Sequence, residues 1–247
     1  MSTSATTPEV NVPKSDIVIR EVAKDVWTFS RPLNLFNRLP VGGRSTAIKL
    51  NDGSVWILAS TPLTDETKQK LAELGQVKYI IAGNAFHHLF LKPYKDEYTG
   101  AKVIGPEDLN AKKVAEVFTA SNPDAKFGFE DEIEHCFFSG YKNKDIAFYH
   151  KASKTAIGAD LLFNLPGTEQ YASSSASPNY PILTTGLRPS AFVMKLFIWL
   201  KEGDKTKMQN DARRVAAWDF DKYIPCHGNV IETNANQAWR STWSRYL

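Results

Sequence analysis

The sequence predicts an α+β fold of four layers, an αββα sandwich in which two β-sheets lie face to face between outer helices. Two observations favour this fold. Each half of the chain begins with strands that pair as hairpins and continues with helices. Between residues 46 and 106, strand and helix patterns alternate, which is typical of side-by-side strands with helices outside them. No linker-like stretch separates the halves, so we predict a single domain over residues 15–247.

Three hairpins are predicted from β-forming residues on either side of a turn. They join residues 17–22 with 26–30, 46–50 with 55–59, and 146–150 with 154–158. The second is the clearest because it turns at Asp52-Gly53, and Asp-Gly between two strand-like runs is a strong short-range hairpin signal. The third leads directly into Asp160.

The clearest helix begins after Thr64, whose hydroxyl can cap it, and ends at Gly75. The apolar strand over residues 77–82 follows, and then a turn and a short helix that opens with His87 and His88. The remaining predicted helices cover residues 107–120, 190–200 and 207–218, and a last one begins at Asn234.

The composition excludes several classes of protein. Of the 247 residues, 43% are hydrophobic and 23% are charged, which is ordinary for a soluble protein with a real core. The net charge of +3 is too small to indicate nucleic-acid binding, and no block of Lys and Arg occurs. The longest apolar run, residues 192–200, is less than half a membrane span. We therefore predict a cytoplasmic protein with neither nucleic-acid nor membrane partners.

The amino terminus and the cysteines agree with that location. Residues 1–14 are rich in Ser, Thr and Pro and lack the apolar segment of a signal peptide, so we predict a disordered tail. Cys136 and Cys226 lie far apart, which favours two free buried thiols over a disulfide. Cys226 directly precedes His227, and neighbours in an extended segment point to opposite faces, which disfavours a Cys–His nucleophilic pair.

Four side chains with metal-binding chemistry follow predicted strands, namely His87, His88, Asp160 and His227. Imidazole and carboxylate groups are ligands for zinc, iron and manganese, and three or four of them around an open position make a catalytic site. Spacing alone does not bring them together. If they stay apart, His88 caps the turn and His87 faces the core or solvent. Asp160 then forms an Asx turn with its own backbone, and His227 packs beneath a long loop.

Three short motifs at predicted strand ends carry a family resemblance. They are Gly83-Asn84-Ala85-Phe86-His87-His88, Gly158-Ala159-Asp160 and Pro225-Cys226-His227-Gly228. They resemble the motifs His-x-His-x-Asp-His, Gly-Asp and Gly-His of the metallo-β-lactamase superfamily, in the same order. The pattern Asn-x-x-His-His-Leu-Phe-Leu at residues 84–91 resembles, more closely, a branch of that superfamily classed as a domain of unknown function. The resemblance spans residues 17–229 and implies the four-layer fold.

The departures from the family motif concern its metal ligands. Gly83 and Ala85 stand where the first two histidines belong, His87 stands at the aspartate, and His88 keeps its histidine. The family's middle histidine would fall within residues 139–143, where none occurs. The resemblance therefore implies that one metal site is lost. The other would survive as one mononuclear site for Zn²⁺ or Fe²⁺, with the ligands His87, His88, Asp160 and His227.

Two functions follow from this resemblance. The first is a metal-dependent hydrolase of a small ester, lactone, amide or thioester. The second is an inactive protein of the same fold that holds no catalytic metal and binds a small molecule or a protein partner. Under either hypothesis, we expect ligand selection in the Gly-, Ser- and Pro-rich loop of residues 166–189, through Tyr171, Tyr180 and Arg188.

Overall fold

The computed structural model describes residues 16–247, except for 36, 110–112 and 182. The predicted tail of residues 1–14 lies outside this range. In chain order, the strands are β1 (Val18–Ala23), β2 (Val26–Arg31), β3 (Asn34–Leu35), β4 (Leu39–Pro40), β5 (Gly43–Lys49), β6 (Val55–Leu58), β7 (Val77–Ile81), β8 (Lys102–Pro106), β9 (Glu116–Phe118), β10 (Ile133–Phe137), β11 (Ile146–His150), β12 (Thr155–Gly158) and β13 (Lys222–Pro225). The helices are α1 (Asp65–Leu74), α2 (Leu91–Glu97), α3 (Leu183–Gly186), α4 (Phe192–Leu200), α5 (Lys205–Ala216) and α6 (Ala235–Thr242).

The strands form two main sheets. The larger has the order β1-β2-β5-β6-β7-β8-β9, and the smaller has the order β10-β11-β12-β13. Strands β1, β2, β5 and β6 pair antiparallel, whereas β7, β8 and β9 follow β6 in parallel. In the smaller sheet only the last pair, β12 with β13, is parallel. Strands β3 and β4 form a separate short hairpin.

The sheets pack face to face, and each carries helices on its outer side. Strand β6 explains the arrangement, because Trp56 and Leu58 point into the core between the sheets while Val55 and Ile57 point toward the helices. The central core includes the aromatic side chains of Trp56, Tyr79, Phe118, Phe129 and Phe148. Helix α1 covers the larger sheet, and helices α5 and α6 cover the smaller one. The predicted four-layer α+β fold is confirmed.

The three predicted hairpins and the predicted cap of the first helix are also confirmed. The three predicted hairpins correspond to β1–β2, β5–β6 and β11–β12. Helix α1 begins where Thr64 Oγ1 accepts a hydrogen bond of 3.2 Å from the backbone N of Thr67. It ends at Gly75, whose φ of 147° is a conformation that favours glycine.

The helix predicted over residues 107–120 is wrong for the residues that the structure describes. Turns occupy its start, and Glu116–Phe118 forms strand β9 at the edge of the larger sheet. The reason is tertiary, because Phe118 is fully buried between the sheets, against Phe127 and Phe137. Burial of this aromatic ring outweighs the weak helical pattern of the polar sequence around it.

The histidine segment also differs from its prediction. His87 and His88 lie in a turn, and helix α2 begins only at Leu91. Asn84 explains the turn, because its Oδ1 accepts hydrogen bonds of 2.8 Å from the backbone N atoms of Phe86 and His87. Within the described ranges, every helix is too short or too polar to cross a lipid bilayer.

Candidate functional site

Three of the four predicted site residues converge at the ends of strands from both sheets. Asp160 and His227 each lie two residues beyond a strand, and the parallel pairing of Gly158 with Pro225 places them side by side. His87 reaches them from the turn after β7. Ligand atoms of His87, Asp160 and His227 all lie within 4.8 Å of one another.

The two imidazoles approach the same carboxylate oxygen. His87 Nε2 lies 3.3 Å from Asp160 Oδ1, and His227 Nε2 lies 3.4 Å from it. Atoms bound at about 2.1 Å to a tetrahedral ion are themselves about 3.4 Å apart. The separations between each imidazole and Asp160 therefore suit a small divalent ion.

His88 does not belong to this group. Its two ring nitrogens lie 3.3 and 3.4 Å from Lys113 Nζ in an exposed position. Partial burial and the positive charge of Lys113 lower the pKa of His88. The adjacent imidazoles of His87 and His88 therefore point to different surroundings, and three of the four residues predicted to bind metal lie together.

The charges of His87 and Asp160 stabilise each other. Burial alone would lower the pKa of His87, but the negative charge of Asp160, with a smaller contribution from Cys226, raises it well above its usual value. Burial alone would raise the pKa of Asp160, but the charge of His87 and hydrogen bonds from His227 and His87 bring it well below its usual value. The pair therefore favours an ionised carboxylate beside a positive charge.

Hydrogen bonds orient both imidazoles toward the carboxylate. His227 Nδ1 lies 2.7 Å from the carbonyl oxygen of Gly42, and His87 Nδ1 lies 3.1 Å from Ser60 Oγ. Because a carbonyl can only accept, Nδ1 of His227 donates to Gly42, and Nε2 is the ring nitrogen that faces Asp160 and is placed to bind a metal ion. Metal-binding histidines commonly have this arrangement.

Buried side-chain amides hold the second carboxylate oxygen of Asp160, the one that faces away from the imidazoles. Asn84 Nδ2 and Asn143 Nδ2 donate to Asp160 Oδ2 at 2.8 and 2.9 Å, and the backbone N of Asp160 donates to Asp145 Oδ1 at 2.8 Å. Burial and the charge of Asp160 raise the pKa of Asp145 well above its usual value. The roles of Asn143 and Asp145 could not be predicted from the sequence, whereas Asn84 lies within the first motif.

The residues predicted to select a ligand lie elsewhere. Tyr171 is buried, and its hydroxyl donates to the carbonyl oxygen of Leu33 or to Asn34 Oδ1, at 2.7 and 2.6 Å. Tyr180 and Arg188 are exposed. A cavity of about 560 Å³ opens over His87, Asp160 and His227, and none of the three predicted residues is among its described lining. Among the described residues of the loop 166–189, Leu187 lines the cavity.

A family profile described as a domain of unknown function, DUF4336, matches residues 23–185, which is more than half of the chain. The chain belongs to the DUF4336 family. None of the curated proteins compared with this DUF4336 chain matches it.

Solved structures similar to this DUF4336 chain have the metallo-β-lactamase fold. The DIM-1 metallo-β-lactamase exposed to ceftazidime is 12% identical, with a TM-score of 0.60 over 94% of this chain and 99% of its own. A metallo-β-lactamase from Hirschia baltica is 10% identical, with a TM-score of 0.61 over 94% of this chain and 98% of its own. The metal-soaked Flv1 flavodiiron core from Synechocystis is 13% identical, with a TM-score of 0.65 over 95% of this chain and 61% of its own. At these identities the likeness establishes the fold alone.

Proposed function

We propose that this DUF4336 chain is a metal-dependent hydrolase of a small ester, lactone, amide or thioester, with one metal ion held by His87, Asp160 and His227. The observation that supports this proposal is the approach of both imidazole Nε2 atoms to one carboxylate oxygen, at 3.3 and 3.4 Å, beneath an accessible cavity. Catalytic zinc sites typically have three protein ligands and an open fourth position.

The chemistry of the three side chains fits a divalent cation. Two imidazoles and one carboxylate are suitable donors for Zn²⁺ or Fe²⁺. His87 must lose its proton before its Nε2 can bind metal, so the ion would take over the positive charge that Asp160 attracts. When bound, such an ion supplies a water molecule of lowered pKa and polarises a carbonyl group.

The surroundings of the first motif favour one ion rather than two. Gly83 and Ala85 offer no ligand, and a Cβ at Gly83 would lie only 3.0 Å from Ala159 Cβ. A larger side chain at position 83 would therefore displace its neighbours. Among the residues that the structure describes, His87, Asp160 and His227 are the only group of three or more candidate ligands that lie close together.

A second candidate function is the binding of a small molecule or a protein partner without catalysis. The ion pair of His87 with Asp160 favours it, because the pair satisfies the carboxylate without a metal. Gly83 and Ala85 stand where the metallo-β-lactamase motif has histidines, and this substitution also agrees with a site that has lost its catalytic function.

Metal content distinguishes these two functions. We expect about one equivalent of zinc or iron in untagged protein, measured by inductively coupled plasma mass spectrometry. The variants His87→Ala and His227→Ala should lose it, whereas His88→Ala, the matched control, should retain it. A parent protein without metal, whose melting temperature is unchanged by added Zn²⁺, would rule out the metal site. A metal-loaded protein should then hydrolyse simple esters or lactones in a chelator-sensitive manner.

A further inference from the structure

The cavity above the site is lined mainly by hydrocarbon. Its volume is about 560 Å³, and its walls include Leu33, Leu39, Val41, Phe163, Leu187 and Phe197. Cavities of this size suit small organic ligands, with apolar walls for binding and a few polar groups for orientation. The walls therefore favour an apolar chain or ring over a sugar or a nucleotide.

The inner end of the cavity is polar. His87, Asp160 and His227 lie there, and Ser60 and Asn143 also line the cavity. A group of the ligand that forms hydrogen bonds, such as the carbonyl of an ester, is better suited to this end than hydrocarbon.

The mouth of the cavity carries one lysine among exposed apolar side chains. Lys201 Nζ lies 5.5 Å from the ring centroid of Phe86 and 5.9 Å from that of Phe197. Within the described part of the chain, Lys201 has no carboxylate partner. Leu35 and Leu89 are 40% and 77% exposed and also line the cavity. A cation without a counter-charge at an apolar opening suits an anionic group at the end of an apolar chain.

We propose that the cavity binds an acyl amphiphile, with an apolar chain of about eight to ten carbons along its walls. The uncharged carbonyl end of the ligand lies toward His87 and Asp160, and its anionic end pairs with Lys201. This inference deepens the proposed function by naming its substrate class. Ligand binding is measured in the presence of a chelator, so that failure of the inferred ligand class is distinguishable from failure of the proposed metal-dependent hydrolysis.

Simple carboxylates and an alcohol serve as probes for the full-length protein. Isothermal titration calorimetry would be carried out with hexanoate, octanoate, decanoate and 1-octanol, with EDTA present. Each added methylene should strengthen binding by about fourfold, as expected for its transfer out of water. Octanoate should bind up to about fivefold more tightly than 1-octanol because only octanoate can pair with Lys201.

Paired variants separate the two parts of the inference. Lys201→Gln should remove the preference for octanoate over 1-octanol. Lys195→Gln, on helix α4 just before Lys201 and outside the described lining, should keep it. Leu35→Asp at the mouth should weaken both probes. Phe192→Asp should weaken neither, since Phe192 is 77% exposed and is not part of the described lining.

Two results would overturn the inference. One is an affinity that does not change from hexanoate to decanoate, because the apolar walls would then bind no chain. The other is a preference for octanoate that persists in Lys201→Gln, because the anion would then have another partner. If the parent protein holds no metal while the chain-length dependence is observed, the inferred ligand class is supported and the proposed metal-dependent hydrolysis is ruled out.

Discussion

His227 Nδ1 lies 2.7 Å from the carbonyl oxygen of Gly42, and this contact determines which ring nitrogen faces Asp160. The carbonyl fixes the proton on Nδ1, so that Nε2 is left 3.4 Å from Asp160 Oδ1. Gly42 has a φ of 69°, a conformation that is costly for residues with a Cβ. The short segment between β4 and β5 thus orients a side chain from the other end of the sequence.

Replacing Gly42 should therefore affect both stability and metal binding. A Cβ at Gly42 would lie 1.9 Å from Gln170 Oε1, whereas a Cβ at Gly53, whose φ is also positive, would meet nothing within 4 Å. We expect Gly53→Ala to lower the free energy of unfolding by about 1–2 kcal/mol, the cost of the backbone conformation alone. Gly42→Ala should cost about 3 kcal/mol or more, because overpacking adds to it.

Zinc affinity gives the second measurement for this pair of variants. Gly42→Ala should weaken zinc binding by about tenfold, since partners of metal-bound histidines have effects of this size. Gly53→Ala should bind zinc as the parent does. Urea unfolding and zinc titration of both variants test the prediction, and equal losses in the two variants would contradict it.

Arg44 holds the segment that carries His227. Its buried guanidinium donates from Nη1 to the carbonyl oxygens of Pro225 and Gly228, at 2.8 and 2.6 Å, and from Nε to Ser30 Oγ at 2.9 Å. Arg44→Met should lower the free energy of unfolding by about 2–5 kcal/mol because two buried carbonyls lose their donor.

Arg20 is the matched control for Arg44. Arg44 Nη2 lies 3.6 Å from Glu169 Oε2. Arg20 pairs with the same carboxylate at 3.0 Å and with Glu232 at 2.9 Å, but its side chain is 36% exposed. Arg20→Met should cost less than about 1 kcal/mol, the usual range for a surface ion pair. Chemical denaturation of both variants measures the difference. An Arg44→Met variant as stable as Arg20→Met would show that Arg44 does not hold the Pro225–Gly228 segment.

The parallel pairing of β12 with β13 explains why part of the site could be predicted from the sequence. Asp160 and His227 follow these strands at the same offset, and the resemblance of their strand-end motifs to the metallo-β-lactamase motifs was what predicted that they meet. The hairpins and the helix cap at Thr64 could likewise be predicted, because they depend on neighbouring residues. These features are local, and local patterns are visible in a single sequence.

The remaining features depend on contacts between distant residues. His88 lies in a turn that Asn84 stabilises through hydrogen bonds to the backbone of Phe86 and His87, where the sequence predicted the start of a helix. Strand β9 forms because Phe118 packs between the sheets. The inward position of Leu187, rather than Arg188, depends on how the long loop lies over the cavity. No periodicity in the sequence encodes these contacts.

Asn84 connects the histidine turn with the carboxylate, and its removal should disturb both. Its Oδ1 accepts from the backbone of Phe86 and His87, and its Nδ2 donates to Asp160 Oδ2. Asn84→Ala should lower the free energy of unfolding by about 2–4 kcal/mol, because buried donors and an acceptor lose their partner. Zinc affinity should fall by about 10- to 100-fold.

Asn143→Ala is the comparison for Asn84→Ala. It removes one donor to the same carboxylate oxygen, at 2.9 Å, and leaves the turn intact. Asn143→Ala should lower the free energy of unfolding by about 1 kcal/mol. Thermal unfolding and zinc titration compare the variants. If Asn143→Ala is the more damaging of the two, the turn at Asn84 does not position His87.

The half-buried Asp211 on helix α5, remote from the site, should make stability depend on pH. Burial raises its pKa to about 7, while the charge of Arg214 lowers it and that of Asp124 raises it. Its Oδ2 has no hydrogen-bond partner among the described residues. In the unfolded chain an aspartate has a pKa of about 3.9. Between these two values the folded protein binds more protons than the unfolded chain, so stability should fall as pH rises from about 4 to 7.

Asp211→Asn should remove this fall in stability. A shift of about three pKa units corresponds to about 4 kcal/mol in a fully buried group, and the partial exposure of Asp211 reduces the expected loss to about 2 kcal/mol. At pH 8 the variant should therefore be more stable than the parent by about 2 kcal/mol. Near pH 4 the two should unfold alike. The exposed Asp131→Asn is the control, and urea unfolding between pH 4 and 8 is the measurement. A parallel decline in the parent and Asp211→Asn would assign the pH dependence to other groups.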